Sequence, residues 1–293
     1  MTKRKRRFGD RSDGWKVRSL DPMFKVAPYI MVERNGASNH FMDSVDIAEI
    51  EKYIRKKRRE GLSGFGIMHV LIATYVRCVS QKPAINRFIS GQKIFARNNI
   101  EIMLTIKYDM TVEASETIIK IEPQPDATAE EIYALIQQKI EEEKGANAGG
   151  SGFDNLAKAF NLIPGLFLKF AIWFIKLLDY FGLLPRSLTR LSPFHGSMFI
   201  TSMGSLGIPP VFHHLYNLGN VPAFCSFGAK QKRYELQSDG TVAEKRFITC
   251  TWVTDERICD GFYFASALKL MKNLLKNPNQ LSLRPEKIVE DVR

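Results

Sequence analysis

The chain has 293 residues, 45% hydrophobic and 25% charged, a balance ordinary for a soluble globular protein and long enough to bury a large core as one big domain or two. Its net charge of +11, part of it gathered in Lys3-Arg4-Lys5-Arg6-Arg7, admits nucleic acid, an anionic membrane surface or an anionic substrate as partner. The four cysteines, at 78, 225, 250 and 259, have neither CxxC spacing nor disulfide density, so a reducing cytoplasm is expected and no disulfide framework.

Residues 1–22 read as a basic arm with little packing, and no apolar stretch follows the charges as a cleavable signal would require. The basic residues carry no nucleic-acid reading motif and no interleaved aromatics, so no nucleic-acid partner is expected. Phe41–Ile47 predicts a strand and Ala48–Arg59 a surface helix with Ile50, Tyr53 and Ile54 inward. Phe65–Ser80 is apolar on nearly every side and predicts a buried helix. Pro83 interrupts the chain, and strands are expected at Ile94–Ala96, Ile100–Ile106 and Ile118–Ile121. Thr128 with acids after it opens a helix that runs to about Lys144, where a Gly/Ser/Ala-rich stretch supplies a flexible break.

Residues 162–184 are nearly all apolar, with Lys169 and Lys176 seven apart on a narrow stripe. Those charges disfavour a membrane-spanning helix. The segment suits an insertion packed on its own domain or on a neighbouring subunit, an interfacial helix aided by the basic arm, or a wall for an apolar acyl group. Beyond it, Ser197–Ser202 predicts a strand, Ser238-Asp239-Gly240 a hairpin turn and Phe247–Val253 a further strand. Apolar residues at 264, 267, 268, 271, 274 and 275 give a helix with one buried face, stopped by Asn277-Pro278. Cys250 and Cys259 suit small buried apolar positions better than nucleophilic ones.

Between that last strand and helix lies Thr254-Asp255-Glu256-Arg257-Ile258-Cys259-Asp260-Gly261. It resembles the His-x-x-x-Asp-Gly signature of the coenzyme-A-dependent acyltransferases, the family of chloramphenicol acetyltransferase and of the dihydrolipoyl acyltransferase cores of 2-oxo acid dehydrogenase complexes. Asp255, Arg257, Asp260 and Gly261 fit, but Glu256 stands where that family has histidine. Ser197-Met198-Phe199-Ile200-Thr201-Ser202-Met203-Gly204-Ser205-Leu206-Gly207 resembles the same family's Thr-Ile-Ser-x-Leu-Gly strand and turn, and Pro83-Ala84-Ile85-Asn86 its Pro-x-x-Asn turn. The resemblance covers roughly 28–144 and 194–281. It implies an α/β two-layer sandwich of the chloramphenicol acetyltransferase type over 23–293, with the hydrophobic insertion at about 150–192. It also implies coenzyme A or acyl-CoA with a small-molecule acyl substrate, no metal, and a homotrimer or multiple of three with sites between subunits.

In that family histidine deprotonates the carrier thiol, and a hydroxyl supports the oxyanion. Thr201 or Ser202 would inherit the hydroxyl's role; the alternative is that both merely satisfy backbone groups at a strand end. An ordinary carboxyl titrates near about 4.3 and a thiol near about 8.5, so Glu256 needs burial to act as base, and strand alternation places it on the face of Ile248, Cys250 and Trp252. Three readings follow: Glu256 is a replacement base, His213 or His214 has taken over, or the fold survives as a non-catalytic binding or scaffold protein. Asp260 is expected to be architectural, paired with Arg18 or Arg34, and Gly261 to permit a tight turn.

Overall fold

The computed structural model describes residues 6–107, 116–145 and 161–292. The strands are β1 (Gly14–Lys16), β2 (Ser38–Asp46), β3 (Arg87–Ser90), β4 (Lys93–Arg97), β5 (Ile102–Lys107), β6 (Glu116–Ile121), β7 (Met198–Ser202), β8 (Ala223–Phe227), β9 (Gln231–Leu236) and β10 (Val242–Asp255). The helices are α1 (Pro22–Ile30), α2 (Ala48–Arg59), α3 (Ile67–Gln81), α4 (Ala129–Gly145), α5 (Gly165–Tyr180), α6 (Arg186–Leu191) and α7 (Gly261–Lys276).

The main sheet runs β2-β10-β8-β7-β5-β6, with β9 paired to the first half of β10. Only β5–β7 and β7–β8 are parallel among these pairs. From Phe247 to Asp255 every residue of β10 is buried, which is why that stretch reads as a near-continuous β-branched and aromatic run rather than an alternation. Ile248, Cys250 and Trp252 join the larger core beneath the helices. Val253 turns to the opposite face, with Met103, Phe199 and Phe224.

Helix α3, buried from His69 to Ser80, is the centre of the helical layer and packs on α7, α4 and α2. The opposite sheet face is covered by the chain after β7: Leu215 and Val221 pack there, and Thr251 Oγ1 donates to the Val211 carbonyl at 2.6 Å. Gly219, at φ 79°, passes so close to the Phe194 carbonyl that a side chain there has no room. These layers give the expected two-layer α/β architecture.

Two expectations are revised. The N-terminal segment is packed from Arg11 onward: β1 pairs with β4, and Arg11, Asp13 and Val17 are buried. The cause is electrostatic, since Arg11 binds Asp13 at 2.8 Å and Asp179 at 2.7 Å, and buried charges persist when paired and hydrogen-bonded. Residues 3–5 of the basic run, and most of the Gly-rich break after 144, lie outside the described residues.

The apolar segment does form a helix, α5, but it is only partly packed: Leu168, Ile172, Ile175 and Leu178 are half-buried, and the opposite side is exposed. Asp179 is its one buried residue, while Phe167 is 67% exposed and Phe170 62%. Its C-terminal end is fastened: Arg11 takes the Asp179 carboxylate and Gly91 abuts the Tyr180 carbonyl.

Candidate active site

β10 ends at Asp255, and the loop beyond it is held by buried ion pairs. Arg257 donates to both Asp255 carboxylate oxygens, Nε to Oδ1 at 2.8 Å and an Nη to Oδ2 at 2.7 Å. Arg34 Nε lies 3.6 Å from Asp255 Oδ2. The other Arg257 Nη donates to the carbonyls of Met31 at 2.6 Å and Val32 at 3.1 Å. Burial pulls the Arg34 guanidinium down to about 10, against the pull of the Asp255 carboxylate. Fork-to-carboxylate geometry of this kind sets direction as well as distance. The backbone of position 256 is fixed in turn, because Glu256 N donates to the Ala37 carbonyl at 3.0 Å.

Further along, Arg87 donates to the Ile258 carbonyl and forms a two-point pair with Asp291 near the C-terminus. Asp260 is exposed and caps α7, its Oδ1 accepting from Tyr263 N at 2.8 Å. The expected pairing of Asp260 with Arg18 or Arg34 is therefore replaced: Arg34 serves Asp255, and Arg18 serves Asp10 at 3.0 Å. A carboxylate at a helix N-terminus satisfies free amides and the dipole without needing a cation. Gly261 has no left-handed backbone, and a Cβ there would meet nothing within 4 Å, so within one chain the turn does not require glycine.

Glu256 itself is exposed, and its carboxylate makes no ion pair or hydrogen bond with the described residues. Alternation fails for it because the strand stops one residue earlier. Burial of this carboxylate, which a base role needs, would have to come from a second molecule.

Thr201 and Ser202 are half-buried at the end of β7, and neither hydroxyl bonds to any described group. They are not spent on the strand end. They do not, however, meet Glu256. Thr201 pairs with Ser226, and Ser226 with Thr251, so Glu256 lies five residues farther along the neighbouring strand. At about 3.3 Å per residue that is roughly 16 Å along the strands, besides two strand spacings of about 4.8 Å. A base and an oxyanion donor each have to come within about 3 Å of the reacting atoms.

His213 lies flat on Phe224, ring centroids 4.1 Å apart, with Nδ1 at 3.0 Å from the His214 carbonyl. His214 is exposed and edge-on to Tyr216. Phe224 pairs with Val253, so His213 sits over the middle of the second sheet face. Among the described residues no group of three or more His, Cys, Asp or Glu side chains converges to hold a metal ion. Of the remaining histidines, His40 is exposed against Phe212. His195 is buried, with Nδ1 at 2.9 Å from Ser192 Oγ and Nε2 at 3.6 Å from Asp179. Burial pushes the thiols of Cys250 and Cys259 up to about 12, as inert core positions require.

Residues 187–283 match the catalytic-domain profile of the 2-oxoacid dehydrogenases acyltransferase family, about a third of the chain. The chain has the fold of those acyltransferase cores. A probable dihydrolipoamide acetyltransferase from Listeria monocytogenes 4b F2365 superposes with a TM-score of 0.54 at 16% identity, over 89% of this chain and 94% of that one. A truncated catalytic core of the 2-oxoacid dehydrogenase multienzyme complex from Thermoplasma acidophilum gives 0.53 at 14% identity, over 90% and 99%. The cubic core of a pyruvate dehydrogenase multienzyme complex gives 0.52 at 12% identity, over 91% and 94%. No curated protein sequence matches. The fold is that of the acyltransferase cores, and the matched segment contains the signature around Asp260.

Sequence reasoning missed the role of Asp255 as the centre of the clamp, and Arg87 and Asp291 altogether. Arg87 and Asp291 are 204 positions apart, and no local pattern links them.

Proposed function

We propose that the protein transfers an acyl group between a thiol carrier of the coenzyme A kind and a small-molecule acceptor, at a site shared by two copies of the chain. The carrier is a substrate here, not a resident cofactor. The observation that carries this reading is the Asp255–Arg257 clamp, which presents residue 256 rigidly at the end of β10 and leads through Asp260 into α7. Glu256 from one copy takes the thiol proton, and the Thr201 or Ser202 hydroxyl of another donates to the oxygen that gains charge. The free state of both hydroxyls and the separation of the two groups within one chain support a shared site. A trimer or multiple of three is the assembly proposed, in keeping with the cubic core among the structural matches.

A second reading is favoured by the exposure of Glu256: a non-catalytic binding or scaffold protein that keeps the fold. Acyl-thioester turnover separates the two. Loss of a general base costs a factor of about 10²–10⁴, so Glu256→Gln should abolish transfer if Glu256 is the base, and Glu256→His should raise it. Transfer untouched by Gln moves the role to His213 or His214. Failure of both parent and Glu256→His to bind coenzyme A or an acyl thioester leaves the scaffold reading. Light scattering should give a trimer or a multiple of three, and a stable monomer at micromolar concentration would refute the shared site.

A further inference from the structure

At about 100° per residue, Leu166, Phe170, Trp173, Phe174 and Leu177 fall in one sector of α5, and all are exposed. Lys169 and Lys176 run along one edge of that sector. An apolar helical face of this size marks an interaction surface. Among the described residues nothing covers it, and no helix is long and apolar enough to cross a membrane.

The fastened end of α5 adjoins a second feature. The Tyr180 hydroxyl donates to Gln92 Oε1 at 2.9 Å, and Gln92 lines a cavity of about 360 Å³ between the β3–β4 turn and α1. Four cations border that cavity: Lys16, Arg18, Lys25 and Lys93. Arg18 is answered by Asp10, whereas the three lysines form no ion pair with any described residue. No carboxylate lines the cavity. On α1 beside it, Val26, Tyr29 and Ile30 are exposed. An uncovered apolar helix, a cavity of unpaired cations and further apolar side chains thus surround one turn.

We propose that this face docks on an anionic phospholipid bilayer, with the aromatic side of α5 in the interface and a lipid phosphate headgroup in the cavity between the β3–β4 turn and α1. A helix lying in the interface buries its apolar side to a depth of about 5–10 Å while lysines reach the headgroups. Charge complementarity selects the occupant. A second copy apposed about a two-fold axis through the cavity would set these cations against their own duplicates, and a soluble anion would leave α5 uncovered. The inference is independent of the acyl-transfer reading.

The test is co-sedimentation of the full chain with vesicles of phosphatidylcholine alone or mixed with phosphatidylglycerol. Binding is expected only to the mixed vesicles and should weaken with salt. Each lysine at such a surface is worth about fivefold in affinity, so Lys25→Gln with Lys93→Gln should weaken binding about 25-fold. Phe170→Ser with Phe174→Ser should weaken it at least about tenfold. All four positions are solvent-facing or half-buried at the surface, and unchanged melting of both variants would establish that folding is intact. Equal binding to both vesicle types, or none, overturns the proposal. So does an oligomer that the Phe170/Phe174 variant dissociates while vesicle binding persists, which would assign the face to a second copy. Retention of inorganic phosphate without vesicle binding would assign the cavity to a soluble anion.

Discussion

Replacing Asp255 by Asn tests whether the clamp is what holds residue 256 in place. The change keeps shape and one acceptor oxygen but removes the charge between two arginines. The Asp255 side chain is 0% exposed, that of Arg257 1% and that of Arg34 7%, so neither guanidinium can be rescued by water. Removing one partner of a buried pair costs about 3–5 kcal/mol, because it leaves the other charge unpaired. For a chain of this size roughly 2–4 °C accompany each kcal/mol, so melting should fall by roughly 6–20 °C. Glu49→Gln is the control: its pair with Lys52 is more than half exposed on both sides and should cost at most about 1 kcal/mol. Urea unfolding followed by circular dichroism reads both. Adding Arg257→Met to Asp255→Asn should recover at least about 1 kcal/mol, since it removes one stranded cation. A loss no larger than the control's, or no recovery in the double variant, would show that the ion pairs do not hold the loop.

Burial between Phe65 and Tyr133 pulls the His69 ring down to about 4, and Nδ1 accepts from Gly66 N at 3.1 Å, which suits the neutral ring. The unfolded chain therefore takes up a proton near pH 6.5 that the folded one refuses, and stability present above pH 6.5 should be lost as pH falls towards 4. The loss from this site is about 3 kcal/mol, and in His69→Gln the slope of unfolding free energy over that window should flatten. Gly219→Ala, which sets a methyl against the Phe194 carbonyl at positive φ, should destabilise by more than about 2 kcal/mol in thermal melts, whereas Gly261→Ala should stay within about 0.5 kcal/mol.

Where one buried face meets water on the other, the elements are legible in the residues. Ala48–Arg59 forms the helix over the residues its pattern predicts, and Thr128 with Glu131 closes the α4 start reciprocally, at 2.9 and 3.3 Å. β1 and α1 were not legible. Pro22 and Pro28 argue against a helix, yet Pro22 occupies the first turn, where its missing amide costs nothing, and Asp21 caps the amide of Met23. β1 is three residues long and exists because Arg11 and Asp13 are buried beside it, a consequence of Asp179 far along the chain. At the site, the strand, loop and helix were legible as a motif, but the direction of each side chain was not. Alternation put Glu256 inward, the strand ends at Asp255, and Glu256 faces outward.

That outward direction bears on what the exchange of histidine for glutamate means. In one chain the half-buried hydroxyls of Thr201 and Ser202 and the exposed carboxylate of Glu256 lie at opposite ends of the same sheet, and none bonds to a described group. If these groups are halves of one site, as proposed, that site forms only where copies meet so that one end faces the other. A carboxylate carried into that seam loses water, and desolvation is the physical effect that makes a carboxyl basic enough to compete for a thiol proton. Assembly and chemistry are thus one question. If the copies join there, acyl transfer appears with the oligomer and vanishes in Glu256→Gln. If they join and no turnover follows in either the parent or the Glu256→His variant, the seam serves binding alone. If they do not join, neither half-site acquires its partner, and the clamp around Asp255 has only an architectural role.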